Sequence, residues 1–507
     1  MRRRVSVDGP PGAVDRHARL VPQPTRGTPT LKHPGSKRAV VIGGGLAGLA
    51  AATVLAERGV QVDLHEREAI LGGRISSWPD LVGGHDVQME RGFHAFFRQY
   101  YNVRALLRRV DPALRSLRPI TDYPVLGPNG ASESFAGLPM RPPLNLAALI
   151  HRTPTLRWRD LRAMDGKIAA EMLTFAGDLT YERFDTMSAA QFLDAVRFPP
   201  DARRMLFEVF AHSFFNPEQS MSAGEMLMMF HLYFLGTAEG LLFDVLDEPF
   251  DDALCGPLRR YLEQLGASVR TGSEITHWPD PVLVDGLVLA LPVRPLQQFV
   301  NGSTWLGSPA WRDDIAELQP APPFVVWRMW FDRPVRPGRA AFAGTAGMGI
   351  LDNISVVDRY QGEAHRWTLR NGGSVVELHA YAIDEIHAAD EALTKSELLG
   401  ALHELYPETA EARMVADRYL VRSDCPGFAP GSWARRPSTG VDTVHPDAPR
   451  VAIAGDLVKL PFPAALMERA VASGFAAANH LLAGWGVQPE PIWSIRPTGL
   501  LAKRLSR

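Results

Sequence analysis

A glycine-rich turn near residue 43 has the residue types and spacing that bind a phosphate group. The turn, residues 43–48 (GGGLAG), follows a β-branched run over 38–42 and precedes an apolar segment that predicts a helix. In such a unit the first glycine allows the tight turn, the second lets a diphosphate approach the backbone, and the third lets helix and strand pack closely. The helix N-terminus adds free N–H groups and partial positive charge. The predicted contacts here are Gly43, Gly45, Leu46, Ala47 and Gly48.

An acidic residue lies at the distance from this turn that ribose recognition requires. Gly59 ends the predicted helix, residues 60–65 predict a second strand, and Glu66 follows that strand. A carboxylate about 20 residues beyond the turn is placed to bind ribose hydroxyl groups. The glycine pattern alone would be weak evidence. With the strand, the helix and the acid, it predicts a dinucleotide-binding βαβ unit.

The segment after Glu66 favours FAD over NAD. Residues 67–74 (REAILGGR) resemble the E-x(n)-G-G-[RK] extension of the amine oxidase and carotene desaturase superfamily. In that superfamily the paired glycines and the basic residue pass close to the diphosphate and the ring of the flavin. The resemblance therefore implies FAD contacts at Arg67, Gly73 and Arg74.

A motif about 400 residues later resembles the closing half of the same site. Residues 450–456 predict a strand that ends in Gly455-Asp456, and a helix follows from about residue 464. In FAD folds of this kind the aspartate hydrogen-bonds the ribityl chain. The helix N-terminus, near Met467, points its N–H groups at flavin N1 and C2=O and stabilises the charge that reduction adds.

Two segments between these halves resemble further strands of the FAD-binding domain. Residues 266–275 match the strand whose backbone meets the adenine, with Ile275 as the expected contact, and residues 284–292 match the strand by which the chain leaves the domain. The strands at 325–331 and 374–381 predict a second sheet, which in this superfamily roofs the flavin.

Three stretches are similar to the plant-type carotene desaturases. Residues 72–103 carry a closely similar G-G-[KR]…W…E-x-G-[FL]-H-x-F-F-x-x-Y-x-N pattern, residues 214–222 resemble N-P-[DE]-x-x-S-M, and residues 454–474 fit their flavin helix. Within that group the chain looks most like the actinobacterial isorenieratene synthases. The resemblance implies further FAD contacts at Arg91, Gly92 and Phe93. Ala253 replaces the arginine of the desaturases' Arg-Leu-Cys, which argues against an acyclic phytoene substrate handled in the same way.

Isorenieratene synthases desaturate β-carotene and shift a methyl group, so that its β-ionone rings become aromatic φ-rings. Such a ring has a quaternary carbon bearing two methyls, so dehydrogenation alone cannot aromatise it. We expect hydride transfer to flavin N5, migration of one methyl in the resulting polyene cation, and loss of a proton. Bulk solvent or the flavin itself could collect that proton.

His94 is the first candidate for a catalytic proton acceptor, because the motif places it near the flavin. His212, His231 and Glu225 are weaker candidates, each favouring a structural role. Glu90 and Arg91 either contribute beside the cofactor or pair there structurally.

The substrate class has consequences for location. Exposing a C40 polyene to water costs on the order of 30 kcal/mol, at roughly 0.8 kcal/mol per carbon, so delivery through bulk water is excluded. Residues 221–235, rich in methionine and phenylalanine, predict either an apolar substrate wall or an ordinary buried helix. No run of about 18 uncharged apolar residues occurs, so we expect peripheral attachment to the inner face of the membrane in a cytoplasmic protein.

Composition agrees with a globular enzyme. The 507 residues are 46% hydrophobic and 22% charged, with a net charge of −2, which gives no case for nucleic-acid binding. Two cysteines exclude a disulfide scaffold, a cysteine-built zinc site and a cysteine-ligated iron–sulfur cluster, and no metal site is predicted. The electron acceptor, a quinone or oxygen, must therefore be external.

The predicted fold class is α/β: a Rossmann-like FAD-binding domain of the amine oxidase type, interleaved with a substrate domain of mixed sheet plus helices. The predicted boundaries are 1–36 for a disordered tail, 37–110, 256–300 and 445–487 for the three parts of the FAD-binding domain, 111–255 for a mainly helical substrate and membrane-facing region, 301–444 for the substrate-domain sheet, and 488–507 for a C-terminal tail.

Three other functions stay open on the sequence alone. A carotene cis–trans isomerase, or another carotene desaturase, would use the same flavin. A squalene-type dehydrogenase or an amine oxidase would act on other substrates, although the apolar wall favours a hydrocarbon. A prenyl-binding protein that lacks FAD would share the fold, but the glycines, Glu66 and Asp456 are all present.

Overall fold

The computed structural model describes residues 17–24, 27–135, 137–139, 141–153, 158–204, 207, 212–278, 284–443 and 449–502. In this part of the chain two sheets carry most of the strands, and the chain crosses between them several times. The first sheet has six strands and begins at the glycine turn. The second sheet has seven strands and is formed mainly by the C-terminal half.

The first sheet is parallel except at one edge. Its strands lie in the order Ser268–Arg270, Gln61–His65, Arg38–Ile42, Gly286–Leu289, Arg450–Ile453 and Gly440–Val441, and only the last pair is antiparallel. The central strands are apolar and almost completely buried, as expected for a parallel sheet that is covered on both faces. The carboxyl ends of these strands share one edge, where ligands of such sheets bind.

Two helices that follow strands of this sheet cross each other closely. Helix Leu46–Glu57 begins at the glycine turn, and helix Leu466–Gly484 follows strand Arg450–Ile453. A Cβ added to Gly474 would lie 2.3 Å from the carbonyl oxygen of Ala47, so only glycine permits this crossing. The contact places the first and last parts of the domain side by side.

The second sheet is antiparallel apart from one pairing. Its order is Met414–Arg422, Phe324–Phe331, Ser374–Ala380, Asn353–Val356, Phe342–Thr345, Val125–Leu126 and Ser132–Glu133. Every residue of Phe324–Phe331 and of Ser374–Ala380 is buried. The two strands predicted at 325–331 and 374–381 pair directly with each other.

The remaining strands and helices surround these sheets. A hairpin pairs Ser77–Val82 with His85–Glu90, a small sheet joins Phe96–Phe97, Phe243–Leu246 and Leu117–Ile120, and Arg19–Leu20 pairs with Trp493–Ser494. The other α-helices of the described residues are Tyr101–Leu107, Leu144–Arg152, Trp158–Leu161, Gly166–Ala169, Asp178–Phe184, Ala189–Val196, Pro200–Arg203, Ala223–Phe230, Gly256–Gln264, Val293–Gly302, Pro309–Glu317, Gly362–Asn371, Glu385–Ala389, Glu391–Leu405 and Ser432–Arg435. None of the described helices is both long enough and apolar enough to cross a bilayer.

The structure adds strands to one predicted segment and corrects the predictions for both terminal tails. The region 111–255, predicted to be mainly helical, also supplies two strands to the second sheet. The tail prediction is wrong for residues 17–24 and 27–36, since Arg19–Leu20 pairs with Trp493–Ser494 and Leu31 is buried. Ile492 and Ile495 of the predicted C-terminal tail are buried as well. The two terminal segments are held together by backbone pairing, and hydrophobic periodicity in the sequence does not predict such pairing. Residues 1–16 lie outside the described part.

Gly48 is expected to tolerate no side chain, because a Cβ there would lie 1.8 Å from the carbonyl oxygen of Gly43. We expect Gly48→Ala to lower the free energy of unfolding by about 1–3 kcal/mol or more through overpacking. The control is Gly400→Ala, on the exposed face of helix Glu391–Leu405 with no atom within 4 Å of the added carbon, which should be neutral or stabilising. Urea unfolding of both variants measures the difference, and equal midpoints would contradict the packing argument.

Candidate active site

A cavity of about 350 Å³ is lined by residues from both sheets. It brings together the first and last motifs of the sequence, although about 400 residues separate them. The predicted residues on its wall are Gly43, Gly45, Leu46, Ala47, Glu66, Arg67, Gly73, Arg74, Arg91, Phe93, His94, Ile275, Gly455, Asp456 and Met467.

Two predicted FAD contacts, Gly48 and Gly92, do not line this cavity. Gly48 packs against the carbonyl of Gly43, so it serves the close approach of helix and strand. Gly92 has a φ of +105°, and an added Cβ would lie 2.7 Å from Cε1 of His379. Both glycines therefore shape the site from behind its wall.

The glycine turn has the shape that a diphosphate requires. Gly43 adopts a φ of +106°, and a Cβ there would meet the carbonyl oxygen of Ala290 at 2.2 Å. Gly45, which caps the helix that starts at Leu46, faces open space, since the nearest atom to its added Cβ is Gly72 O at 3.8 Å. The turn thus keeps room at the helix N-terminus, where an anionic group is stabilised.

Glu66 lies beside this turn with its carboxylate held in place. One oxygen accepts a hydrogen bond from Gly44 N at 2.7 Å, and the other accepts from Glu68 N at 2.9 Å. A carboxylate has about four lone-pair sites, so both oxygens can still accept from ribose hydroxyls. Ile275, in the loop after strand Ser268–Arg270, lines the same end of the cavity.

Arg74 and Asp456 form a bidentate ion pair on the cavity wall. The two guanidinium nitrogens donate to the two carboxylate oxygens at 2.8 and 2.6 Å. Burial alone would lower the pKa of Arg74, but Asp456 raises that pKa well above its ordinary value, so the guanidinium stays charged. It joins the segment after Glu66 to the strand end that precedes the closing helix.

The N-terminus of helix Leu466–Gly484 opens onto the cavity. Its N-cap residue, Ala465, gives no side-chain acceptor to the first-turn N–H groups. Leu466 holds a φ of +49°, which is costly for a residue other than glycine and is typical of functional sites. Leu466, Met467 and Ala470 line the cavity, so the helix offers donors to a bound acceptor there.

The rest of the wall is strongly aromatic. Phe93 stacks on Phe342 with ring centroids 4.2 Å apart and meets Phe243 edge-on at 5.9 Å. A second cavity of about 210 Å³ adjoins this region, and Phe214 lines both cavities. Its wall is almost wholly apolar and includes Met221, Met226, Met229, Phe230 and Phe234 from the methionine-rich segment. That segment is the helix Ala223–Phe230, continued by a wider π-helical turn over His231–Leu235.

His94 lies on the wall of the first cavity, with Nδ1 donating to Gly92 O at 2.7 Å. Burial lowers the pKa of His94 to about 4, so its ring is neutral near pH 7. His212 bonds to Asp352 Oδ1 at 2.9 Å, and His231 bonds to the carbonyl of Arg496. These two histidines are tied to structural partners.

The remaining acidic candidates also have structural partners. Glu225 is buried between Arg436 and Arg469 and accepts from Tyr181 OH at 2.8 Å. Glu90 ends strand His85–Glu90, Arg91 follows it, and the two side chains bind different partners instead of each other. Glu90 binds Arg328 at 3.1 Å, and Arg91 binds Asp424 at 2.8 Å.

Sequence reasoning missed a polar group on the second sheet. His379, Tyr381 and Asn353 line the cavity, and Glu377 lies directly behind His379. A signal was present: Glu377, His379 and Tyr381 alternate within an otherwise apolar strand, which puts them on one face.

Known proteins share both the sequence and the fold of this chain. The family model of flavin containing amine oxidoreductases matches residues 46–482. Carotenoid phi-ring synthase of Streptomyces griseus is 48% identical over 500 residues, covering 96% of this chain and 95% of that protein. The protein of the same name from Chlorobaculum tepidum is 25% identical over 598 residues, covering 92% and 91%. An oxidoreductase structure from Methanosarcina mazei superposes with a TM-score of 0.61 at 15% identity, covering 87% of this chain and 99% of that chain.

We expect Glu66→Gln to weaken FAD binding by roughly 10- to 150-fold, since hydrogen bonds to a charged group contribute about 1.5–3 kcal/mol. Titration of the apoprotein with FAD, followed by flavin fluorescence, measures the change. The control is Glu263→Gln on helix Gly256–Gln264, because the Glu263 side chain is 46% exposed and pairs with Arg259 at the surface. An unchanged FAD affinity in Glu66→Gln would show that this carboxylate is not a cofactor ligand.

Proposed function

This chain belongs to the family of flavin containing amine oxidoreductases and is an FAD-dependent oxidoreductase, and from that premise we propose that it forms aromatic carotenoid rings. It desaturates the β-rings of β-carotene and shifts one methyl in each, giving the φ-rings of isorenieratene. The observation that carries the proposal is 48% identity, over nearly the whole of both chains, to a carotenoid phi-ring synthase.

The walls of the two cavities support a hydrocarbon substrate. A carotene offers no hydrogen-bonding group, so its pocket should be apolar and shaped by flexible or aromatic side chains. The second cavity is lined mainly by leucine, methionine and phenylalanine, and Phe214 joins it to the wall of the first. An extended polyene could place one ring in the first cavity and much of its chain in the second.

The same walls suit a cationic substrate intermediate. Bound FAD supplies the oxidant that accepts a hydride from the ring. The faces of aromatic rings attract positive charge, and Phe93, Phe243 and Phe342 form such a cluster beside the FAD-binding residues. An apolar wall also keeps water from trapping the cation before a methyl group migrates.

We expect the full chain, produced in cells that accumulate β-carotene, to convert that pigment into one that has lost eight hydrogens, four from each ring, with an unchanged carbon count. Mass spectrometry of extracted pigments measures this, and absorption and NMR spectra identify the aromatic rings. Asp456→Ala, which removes the Arg74 partner on the cavity wall, should give no new pigment. A product of unchanged mass would point to an isomerase, and an altered acyclic carotene would point to another desaturase.

We also propose that the protein attaches peripherally to the inner face of the membrane, where carotenes and quinones dissolve. Helix Leu144–Arg152 supports this, because its inner side supplies Leu146, Leu149 and Ile150 to the wall of the second cavity. Its outer side exposes Leu144 by 58%, and the helix ends in His151 and Arg152. An exposed apolar residue on a helix that ends in a basic residue suits an anionic lipid surface. The external electron acceptor, a quinone or oxygen, would meet the enzyme there.

We expect Leu144→Glu to weaken partitioning onto anionic liposomes by roughly tenfold or more, since burying a leucine contributes about 1.5–3 kcal/mol. Flotation of the holoprotein with vesicles measures the bound fraction. Leu369→Glu is the matched control, because Leu369 is 72% exposed on helix Gly362–Asn371, outside the walls of both cavities. Equal losses in both variants would contradict this docking face, and a wild-type protein that never floats would contradict membrane attachment.

A further inference from the structure

Three polar side chains interrupt an apolar strand of the second sheet on the face that meets the cavity. Glu377 and His379 lie in strand Ser374–Ala380, and Tyr381 follows directly. Alternate residues of a strand share a face, so the three stand in a row. Glu377 and His379 are buried, and each has a specific hydrogen-bond partner.

The row is a continuous chain of hydrogen bonds. The hydroxyl of Tyr381 lies 2.6 Å from Nδ1 of His379, and Nε2 of His379 lies 2.8 Å from Oε1 of Glu377. The other oxygen of Glu377 accepts from Nε of Arg328 at 2.8 Å. Burial alone would raise the pKa of Glu377, but the Arg328 guanidinium and His379 together hold that pKa at about 2.

These contacts fix the direction of each hydrogen bond. Two groups approach Nε2 of His379: Oε1 of Glu377 at 2.8 Å and the N–H of Phe93 at 3.3 Å. A carboxylate accepts only, so the shorter contact puts the proton on Nε2, which donates to Glu377. Nδ1 is then the free acceptor and receives the hydroxyl hydrogen of Tyr381. This is the arrangement by which a carboxylate holds a histidine in the tautomer that can take up a proton, as in hydrolase triads.

The outer end of the chain lies on the cavity wall. Tyr381, His379 and Asn353 line the cavity, whereas Glu377 and Arg328 do not. Nδ2 of Asn353 donates to the Tyr381 hydroxyl at 3.0 Å, and Oδ2 of Asp352 accepts from the Tyr381 backbone N–H. The Tyr381 hydroxyl is therefore held by His379 and Asn353, and the Tyr381 backbone is held by Asp352.

The glycine-containing motif of the sequence makes room for this chain. Gly92 lies against the His379 ring: a Cβ added to Gly92 would be 2.7 Å from Cε1 of His379. A side chain at residue 92 would push the imidazole away from Glu377 or from Tyr381. The motif around Gly92 therefore positions a side chain of the second sheet, in addition to its predicted contacts with the cofactor.

We propose that Tyr381, backed by His379 and Glu377, accepts the protons that the substrate rings release, an inference that rests on the proposed function. Each dehydrogenation removes two hydrogens, of which bound FAD would accept one as a hydride. The resulting cation loses the other: a ring C–H bond breaks, its electron pair becomes the new C=C bond, and its proton adds to the Tyr381 oxygen. The hydrogen already on that oxygen passes to Nδ1 of His379, and Glu377 stabilises the imidazolium. The external quinone or oxygen takes up two electrons and two protons. One of these protons is the one held by His379, which leaves through Tyr381 and so restores the relay.

Other ionisable groups on the wall are less suited to this role. Asp456 and Asp424 are held in ion pairs with Arg74 and Arg91. Asp352 is bound to His212 and to the backbone of Tyr381. His94 donates its Nδ1 hydrogen to a carbonyl, and with a pKa of about 4, lowered by burial, it is a weak base.

The test compares Tyr381→Phe and His379→Gln with wild type, using FAD-loaded protein on liposomes that contain β-carotene. We expect kcat to fall on the order of 100- to 10,000-fold, the usual range for losing a general base, with KM and FAD content unchanged. With ring-deuterated substrate the isotope effect on kcat should rise, because proton loss becomes rate-limiting. A merely structural role would instead lower FAD content and the unfolding temperature, without raising the isotope effect.

Matched controls are Tyr261→Phe and His387→Gln. Tyr261 donates to Glu57 at 3.0 Å, and His387 bridges Asp384 and Glu397 at 2.7 and 3.2 Å. Each control variant therefore loses hydrogen bonds comparable to those lost in the relay variant that it matches. Neither Tyr261 nor His387 lines the cavity. Both controls should keep the wild-type kcat.

Three results would overturn the assignment: Tyr381→Phe that turns over at the wild-type rate, His94→Gln that alone lowers kcat and raises the isotope effect, or controls as slow as the relay variants. If Tyr381→Phe fails to hold FAD, His379→Gln decides by the same two readouts. Wild-type enzyme that yields no aromatic pigment would instead overturn the proposed function, and the proton relay with it.

Discussion

The close crossing of two helices, one at each end of the chain, is the constraint on which the rest of the site depends. Helix Leu46–Glu57 and helix Leu466–Gly484 meet where Gly474 lies against the carbonyl of Ala47. Because Gly474 has no Cβ, the two helices can pack this closely, and both N-termini then face one cavity. Two helix N-termini then offer donors and positive potential to one bound cofactor.

The cavity is chemically divided along its length. At one end glycine backbone, Glu66 and the Arg74–Asp456 pair present charge and hydrogen bonds, which suits a diphosphate and sugars. Elsewhere aromatic rings line the wall, and the adjoining methionine-lined cavity presents almost no polar surface. A polar cofactor and a hydrocarbon substrate can therefore share one site without competing for the same surface. The Glu377–His379–Tyr381 row is polar although apolar side chains surround it. A hydrocarbon substrate does not need such a row for binding, so we assign it a chemical role.

Some residues of the candidate site could be predicted from the sequence alone, and others could not. The turn at residues 43–48, Glu66 and Gly455-Asp456 were recognisable because diphosphate and ribose binding impose fixed residue types at fixed local spacing. Fifteen of the predicted residues line one cavity, whereas Gly48 and Gly92 lie behind it for packing reasons. The pairing of Glu90 with Arg328 and of Arg91 with Asp424 could not be foreseen, because both partners are distant in the sequence: Arg328 lies in strand Phe324–Phe331, and Asp424 lies just after strand Met414–Arg422.

The sequence by itself determined the βαβ unit, the closing strand and helix, and so the α/β class, because these depend on local periodicity, glycine positions and short spacings. Glu377, His379 and Tyr381 alternate in the sequence, but this pattern was not used to predict a site, and it gives no sign of what their face meets. Only the tertiary structure decided that this face borders the cavity, that Arg328 keeps Glu377 ionised, and that Arg19–Leu20 pairs with Trp493–Ser494. Those outcomes arise from contacts between residues far apart in the chain, which local pattern does not encode.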